Sequence, residues 1–373
     1  MQVLKQTLAL GLIAAAVSSA VHADNDFLAA RGVFVMTNDA DANEVIAYER
    51  NRDGALGSPH RYLTGGRGSG GTVDPLASQG SLTLSSDGNW LLAANAGSGS
   101  VSVFRVFGSR LLLTDRTPSG GSEPNAVAQH GKLVYVLNTA ASSSVVGYRL
   151  DDGHLTRITD SQRFLSGNTV NSSSIAFTPD GRFLVVTERA TNSLDVFRVQ
   201  NDGRLAPIVV NPSAAPGAFS AVFAPNGTLI VSETGAGGPL GSTVSSYTIG
   251  SDGKLLPVSI GVPTLGDANC WNVVTPDGRF VYTSNAGTAS IAGFRIGAHG
   301  ELAAIGGTSV GTNPAGSANL DITVSSDGRF LYSLNAGTGA VGGFAIQRDG
   351  SLVNLGTRGG LPAAAGLNGI ASN

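Results

Sequence analysis

The chain has 373 residues, of which 52 are Gly, 42% are hydrophobic and 13% are charged. This composition suits many short strands joined by tight turns and does not fit a charge-rich disordered chain. A net charge of -3 leaves no basic surface to argue for nucleic acid.

The chain opens with Lys5, an uncharged apolar run from Leu8 to Val17, and a small-x-small site at Val21-His22-Ala23. The apolar run is too short to span a membrane, and the pattern reads as a secretory signal over 1–23. Residues 24–373 are then one exported domain, periplasmic or secreted, with no membrane attachment after cleavage. Cys270 is the single cysteine, so no internal disulfide can form.

From residue 32 onward one pattern recurs seven times. It opens on an apolar strand such as Gly32–Met36, and the clearest later copies begin with Thr178-Pro179-Asp180-Gly181-Arg182-Phe183, Thr275-Pro276-Asp277-Gly278-Arg279-Phe280 and Ser325-Ser326-Asp327-Gly328-Arg329-Phe330. Each copy holds an alternating strand that ends near an aromatic: Tyr48, Phe104, Tyr148, Phe197, Tyr247, Phe294 and Phe344, spaced 44 to 56 residues apart. Asp-Gly or related pairs separate the first strand from the second and the third from the fourth, and they predict two-residue hairpins. A strand-only repeat of this length predicts an all-β fold: a closed seven-bladed β-propeller of four-stranded antiparallel blades. The first copy lacks its first strand, and Leu367-Asn368-Gly369-Ile370-Ala371 matches the missing element, so the C-terminal strand is expected to complete the first blade and close the ring.

Strand alternation puts the short turns on one face. The longer stretches 57–80, 209–218, 235–242, 261–271 and 306–319 fall on the other, which is where binding or catalysis is expected. At the end of the second strand the copies read Asn38, Asn95, Asn138, Glu188, Glu233, Asn285 and Asn335. Five are Asn, and the two Glu stand out.

The Ser/Thr-Pro/Ser-Asp-Gly-Arg-Phe turns, the Asn-Ala-Gly at Asn95, Asn285 and Asn335, and the closing Gly369-Ile370-Ala371 resemble the seven-bladed lactonase-type propellers. That family includes 6-phosphogluconolactonase-like and 3-carboxymuconate cyclase-like proteins, and the likeness runs through the mature chain. It implies a lactone hydrolase or cycloisomerase; no His/Cys cluster with ligand spacing and no Asp-rich loop of EF-hand spacing occurs in the sequence, so no metal or other cofactor is expected. It also implies a Glu in the active cleft at Val186-Thr187-Glu188-Arg189, making Glu188 and Arg189 the candidate catalytic residues. Glu233, Arg67, Asp267, Trp271, Asn285 and Asn335 are the candidate substrate-binding residues, with Trp271 either a stacking wall or inter-blade packing. The chain departs from the family at Ser172-Ser173-Ser174 and Pro124-Asn125, where the enzymes carry Arg and His or Pro-His. Two readings stay open: an exported lactonase-like enzyme acting on a lactone or sugar acid, or a non-enzymatic propeller binding a small molecule, glycan or protein through its loop face. A closed ring needs no partner to cover an edge, so a monomer is expected.

Overall fold

A computed structural model describes residues 31–140 and 142–373; the expected signal at 1–23 lies outside them. Seven antiparallel sheets form seven blades. Blade 1 pairs Ile370–Ser372 with Arg31–Met36, Glu44–Arg50 and Leu56–Leu63. Blades 2 to 7 follow in chain order, with inner strands beginning at Leu82, Pro124, Ser172, Ala218, Asn269 and Asn319. The third blade carries its outer strand in two pieces, His154–Arg157 and Arg163–Phe164.

The Asp-Gly motif builds a turn from its own polar atoms. Thr178 Oγ1 donates to Asp180 Oδ1 at 2.7 Å, Arg182 N donates to the same oxygen at 3.1 Å, and Phe183 N donates to Thr178 Oγ1 at 3.0 Å. The backbone pair Thr178 N to Phe183 O closes a four-residue loop, longer than the two-residue hairpin expected. Gly181, at φ 69°, takes the left-handed position, whereas a two-residue type I′ turn would need two such residues. The same bonds recur at Thr275–Phe280 and Ser325–Phe330.

All seven marker aromatics are buried. Tyrosines of the second strand latch neighbouring blades. Tyr282 OH donates to Gly350 O at 2.8 Å, Tyr332 OH donates to Gly54 O at 2.9 Å, and Tyr135 OH donates to Gly203 O. The Tyr332 latch joins blade 7 to blade 1. Closure follows the expected strand: Val33, Phe34 and Val35 pair with Ser372, Ala371 and Ile370. Gly32 N also donates to Asn373 Oδ1 at 2.6 Å.

The outer strands run further than the pattern suggested, to Pro263 in blade 5 and Thr312 in blade 6. Register shifts within them absorb the irregular sequence. The open loops therefore shrink at 209–218, 261–271 and 306–319, while the connection from blade 1 to blade 2 stays irregular from Thr64 to Ser81 and 235–242 stays irregular throughout.

Candidate active site

The second-strand ends are locks inside the blades. Asn95 accepts from Asn43 Nδ2 at 2.9 Å and from Thr64 Oγ1 at 2.7 Å, and donates to Ser102 Oγ at 2.8 Å. It ties its own blade to the preceding loop. A Cβ on Gly66 would come within 2.4 Å of Asn95 Cγ, so only Gly fits there. Asn285 and Asn335 are likewise fully buried, bonded to Ser290 Oγ and Asn313 Oδ1. In blade 1 the strand stops at Met36, and Asn38 lies beyond it at φ 52°, donating towards Ser69 Oγ and Gly366 O.

Glu188 and Glu233 take the same enclosed position and are 0% exposed. Glu188 accepts from Ser166 N at 2.9 Å, Ser166 Oγ at 2.5 Å and Thr191 Oγ1 at 2.5 Å. Burial works to raise its pKa, but hydrogen bonds from Asp195, Ser166 and Thr191 win and hold it below the ordinary glutamate range. Asp195, also fully buried, is pushed up to about 9 by burial and by the Glu188 carboxylate beside it. The two share one proton, with Asp195 the neutral donor. Glu233 accepts from Thr243 Oγ1 at 2.7 Å, and burial raises it above its ordinary value. Glu188, Glu233, Asn285 and Asn335, expected to face a substrate, are 0% exposed and bond to side chains of their own blades and of the loops leading into them.

For Trp271 the geometry matches the second of its two readings, inter-blade packing. It is 1% exposed, packs edge-on to Phe219 with centroids 5.3 Å apart, and donates Nε1–H to Ser78 O at 2.9 Å. Packing, not stacking on a ligand, is its observed role.

Ser78 belongs to the blade 1–2 connection, which enters the channel and closes it. Ser78 Oγ donates to Asn125 O in blade 3 at 2.8 Å, and Gln79 N donates to Ser173 O in blade 4 at 2.9 Å. The Gln79 side chain grips the backbone of Asn272 in blade 6, donating to its O at 2.7 Å and accepting from its N at 3.2 Å. Bulges near the start of the inner strands of blades 3 to 7 turn the backbone at these points of attachment.

The same connection carries Asp74, half-buried and at φ 46°. Its Oδ1 accepts from Asn368 Nδ2 at 3.0 Å. Burial pushes Asp74 up to about 7, opposed by the Arg189 guanidinium, by Asn368 and by the N–H groups of Ala77 and Ser78. Arg189 enters from blade 4 with its guanidinium 5.6 Å above the Phe219 ring, and no salt bridge holds it among the described residues. Asp321, on the inner strand of blade 7, is pushed up to about 8 by burial, with the Asp74 charge adding to the rise. Burial raises the Cys270 thiol far above its ordinary value. Arg67 is exposed on the same connection, with its backbone N bonded to Ser98 Oγ at 3.0 Å. Asp267 is partly buried and accepts from Leu240 N.

Of the expected pair, Arg189 acts on Asp74 through its charge, while Glu188 is bonded to Ser166 and Thr191. Asp74 can accept a proton near neutral pH, and Arg189 can hold an anionic group. Asp74 lies in the expected loop stretch 57–80, and no motif singled out Asp74 or Asp321. A charged residue on an innermost strand was the signal for Asp321. Among the described residues no group of three or more His, Cys, Asp or Glu could hold a metal ion. No helix there is long and apolar enough to cross a membrane.

Comparison with known proteins agrees with the fold. The periplasmic gluconolactonase of Pseudomonas aeruginosa superposes with a TM-score of 0.66 at 17% identity, covering 91% of this chain and 99% of that one. A Bacteroides uniformis protein provisionally assigned as a 6-phosphogluconolactonase gives 0.66 at 18% identity, covering 92% and 99%. A Lactobacillus plantarum protein gives 0.68 at 19%, also covering 92% and 99%. Likeness at these identities establishes the fold. No curated protein sequence matches the chain. The family model described as Lactonase, 7-bladed beta-propeller matches residues 33–171, 126–263 and 240–357, and with the ring of seven four-stranded blades this makes the chain a member of the seven-bladed β-propeller lactonase family.

Proposed function

We propose that the chain is an exported lactonase-like enzyme that hydrolyses or isomerises a lactone of a sugar acid or related carboxylate at the loop-face mouth of its channel. The observation that carries this is Asp74, a partly buried carboxyl on the blade 1–2 connection that accepts from Asn368 Nδ2 at 3.0 Å; burial pushes it up to about 7 against the Arg189 charge. In hydrolysis, ionised Asp74 takes a proton from water as the oxygen adds to the lactone carbonyl. It returns that proton to the ring oxygen as the C–O bond breaks. Arg189 holds the substrate's carboxylate or the developing oxyanion. Export is supported by the leader pattern at 1–23 and by the periplasmic location named for the Pseudomonas aeruginosa protein.

The test is pH-stat assay of purified 24–373 on aldono-, muconate-type and acyl-homoserine lactones, beside Asp74→Asn and Glu188→Gln. Turnover should fall about 10²–10⁴-fold in Asp74→Asn. Because the base works ionised, kcat/KM should rise with pH through about 7. Absence of turnover on every lactone would favour the second reading, a non-enzymatic propeller that binds a small molecule, glycan or protein through its loop face. The Ser78–Gln79 bridge across the channel supports that reading, since it fills the space a deep substrate would use.

A further inference from the structure

The lead-in to the closing strand reaches into the site just described. Asn368 is 1% exposed, and its two amide atoms have different partners. Nδ2 donates to Asp74 Oδ1 at 3.0 Å, and Oδ1 accepts from Ser81 Oγ at 2.8 Å. An ionised carboxylate can only accept, so the amide must present its NH₂ to Asp74 and its carbonyl to Ser81. The backbone holds this orientation. Asn368 N donates to Met36 O at 3.2 Å, Met36 N donates to Gly369 O at 3.2 Å, and Gly366 N donates to Thr72 O at 2.7 Å. Gly369 sits at φ 84°, and a Cβ there would lie 2.6 Å from Ser81 Oγ. One residue further on, Ile370 N donates to Asp321 Oδ2 at 3.3 Å.

We propose that Asn368 is a positioning residue for Asp74, so that closing the ring and assembling the site are one event. The proposal rests on the reading of Asp74 as the general base. The groups that face Asp74 come from several blades: Arg189 from blade 4, Cys270 from blade 6, Asp321 from blade 7, and the N–H groups of Ala77 and Ser78 from its own segment. Of these only Arg189 is cationic. Asn368 is the one side-chain hydrogen-bond donor to Asp74 seen among the described residues, and it arrives only when the last strand seats on the first. A donor to the charged form favours that form, so removing it should make Asp74 harder to ionise.

The experiment follows the Asp74 carboxyl by ¹³C NMR across pH in the mature chain, in Asn368→Ala and in Ser81→Ala. The wild-type midpoint is expected near 7. It should rise by about 0.5–1 pH unit in Asn368→Ala, and by less but in the same direction in Ser81→Ala, where the amide is free to turn. The acidic limb of kcat/KM should move with it. Ser81→Ala decides the matter if Asn368→Ala fails to fold. An unchanged midpoint in the folded variants overturns the proposal. A moved midpoint in a chain that hydrolyses no lactone upholds the positioning and removes the hydrolase reading instead.

Discussion

Blade 4 and the channel mouth each hold a carboxyl with a shifted acidity, and they differ in what surrounds it. Glu188 is enclosed by Ser166, Thr191 and Asp195 and is kept ionised by them. Asp74 is partly buried, has one side-chain hydrogen-bond partner and is pushed up to about 7. A carboxylate whose lone pairs are filled by the fold stabilises the fold. One left partly unfilled, beside a cation without a counter-ion, is free to act on something else. The sequence difference that set Glu188 and Glu233 apart from five Asn marks a different lock for two blades.

The comparison breaks most sharply if Asp74→Asn leaves turnover intact; the expected loss is about 10²–10⁴-fold with little change in thermal unfolding. Glu188→Ala should do the reverse. It strands Ser166 N–H, the Thr191 hydroxyl and Asp195 in a buried space, and should cost about 3 kcal/mol in denaturant unfolding.

Asp195→Asn sharpens the contrast through pH. Asp195 keeps its proton in the folded chain up to about 9 and loses it near 4 when unfolded, so the folded state binds more protons across that window. Stability should therefore fall as pH rises from about 4 to 9, and Asn, neutral throughout, should flatten that slope. A gain of roughly 1–2 kcal/mol at pH 8 is expected, read from urea midpoints at several pH values. The smallest effect belongs to Trp271→Phe, which removes one N–H donor to Ser78 O and should cost roughly 1 kcal/mol. If it also lowers turnover, the channel bridge positions Asp74 as well as filling space.

The ring was legible because its signals are local and repeated. Thr178, Asp180, Gly181 and Phe183 define a turn within six residues, and the closing strand could be matched to other inner strands by pattern. The site was legible only in part. Arg189 was reached through the family resemblance, but the importance of Asp74 depends on Asn368, 294 residues away, and on a bridge held by Trp271, 193 residues from Ser78. No local pattern announces such pairings. Asn38 shows a subtler limit. It matched the other Asn in sequence, yet blade 1 ends its strand two residues early and gives the residue a left-handed backbone.

Closure by the last strand also sets a clock. The edge formed by Val33, Phe34 and Val35 is covered only by Ile370, Ala371 and Ser372. At translation rates of about 5–20 residues per second, that apolar edge waits roughly 20–70 seconds for its partner. During that interval six blades can stack, but the ring stays open, with an unpaired strand ready to join another chain. The longer synthesis takes, the longer that edge is exposed to pairing with another chain, whatever the stability of the finished ring.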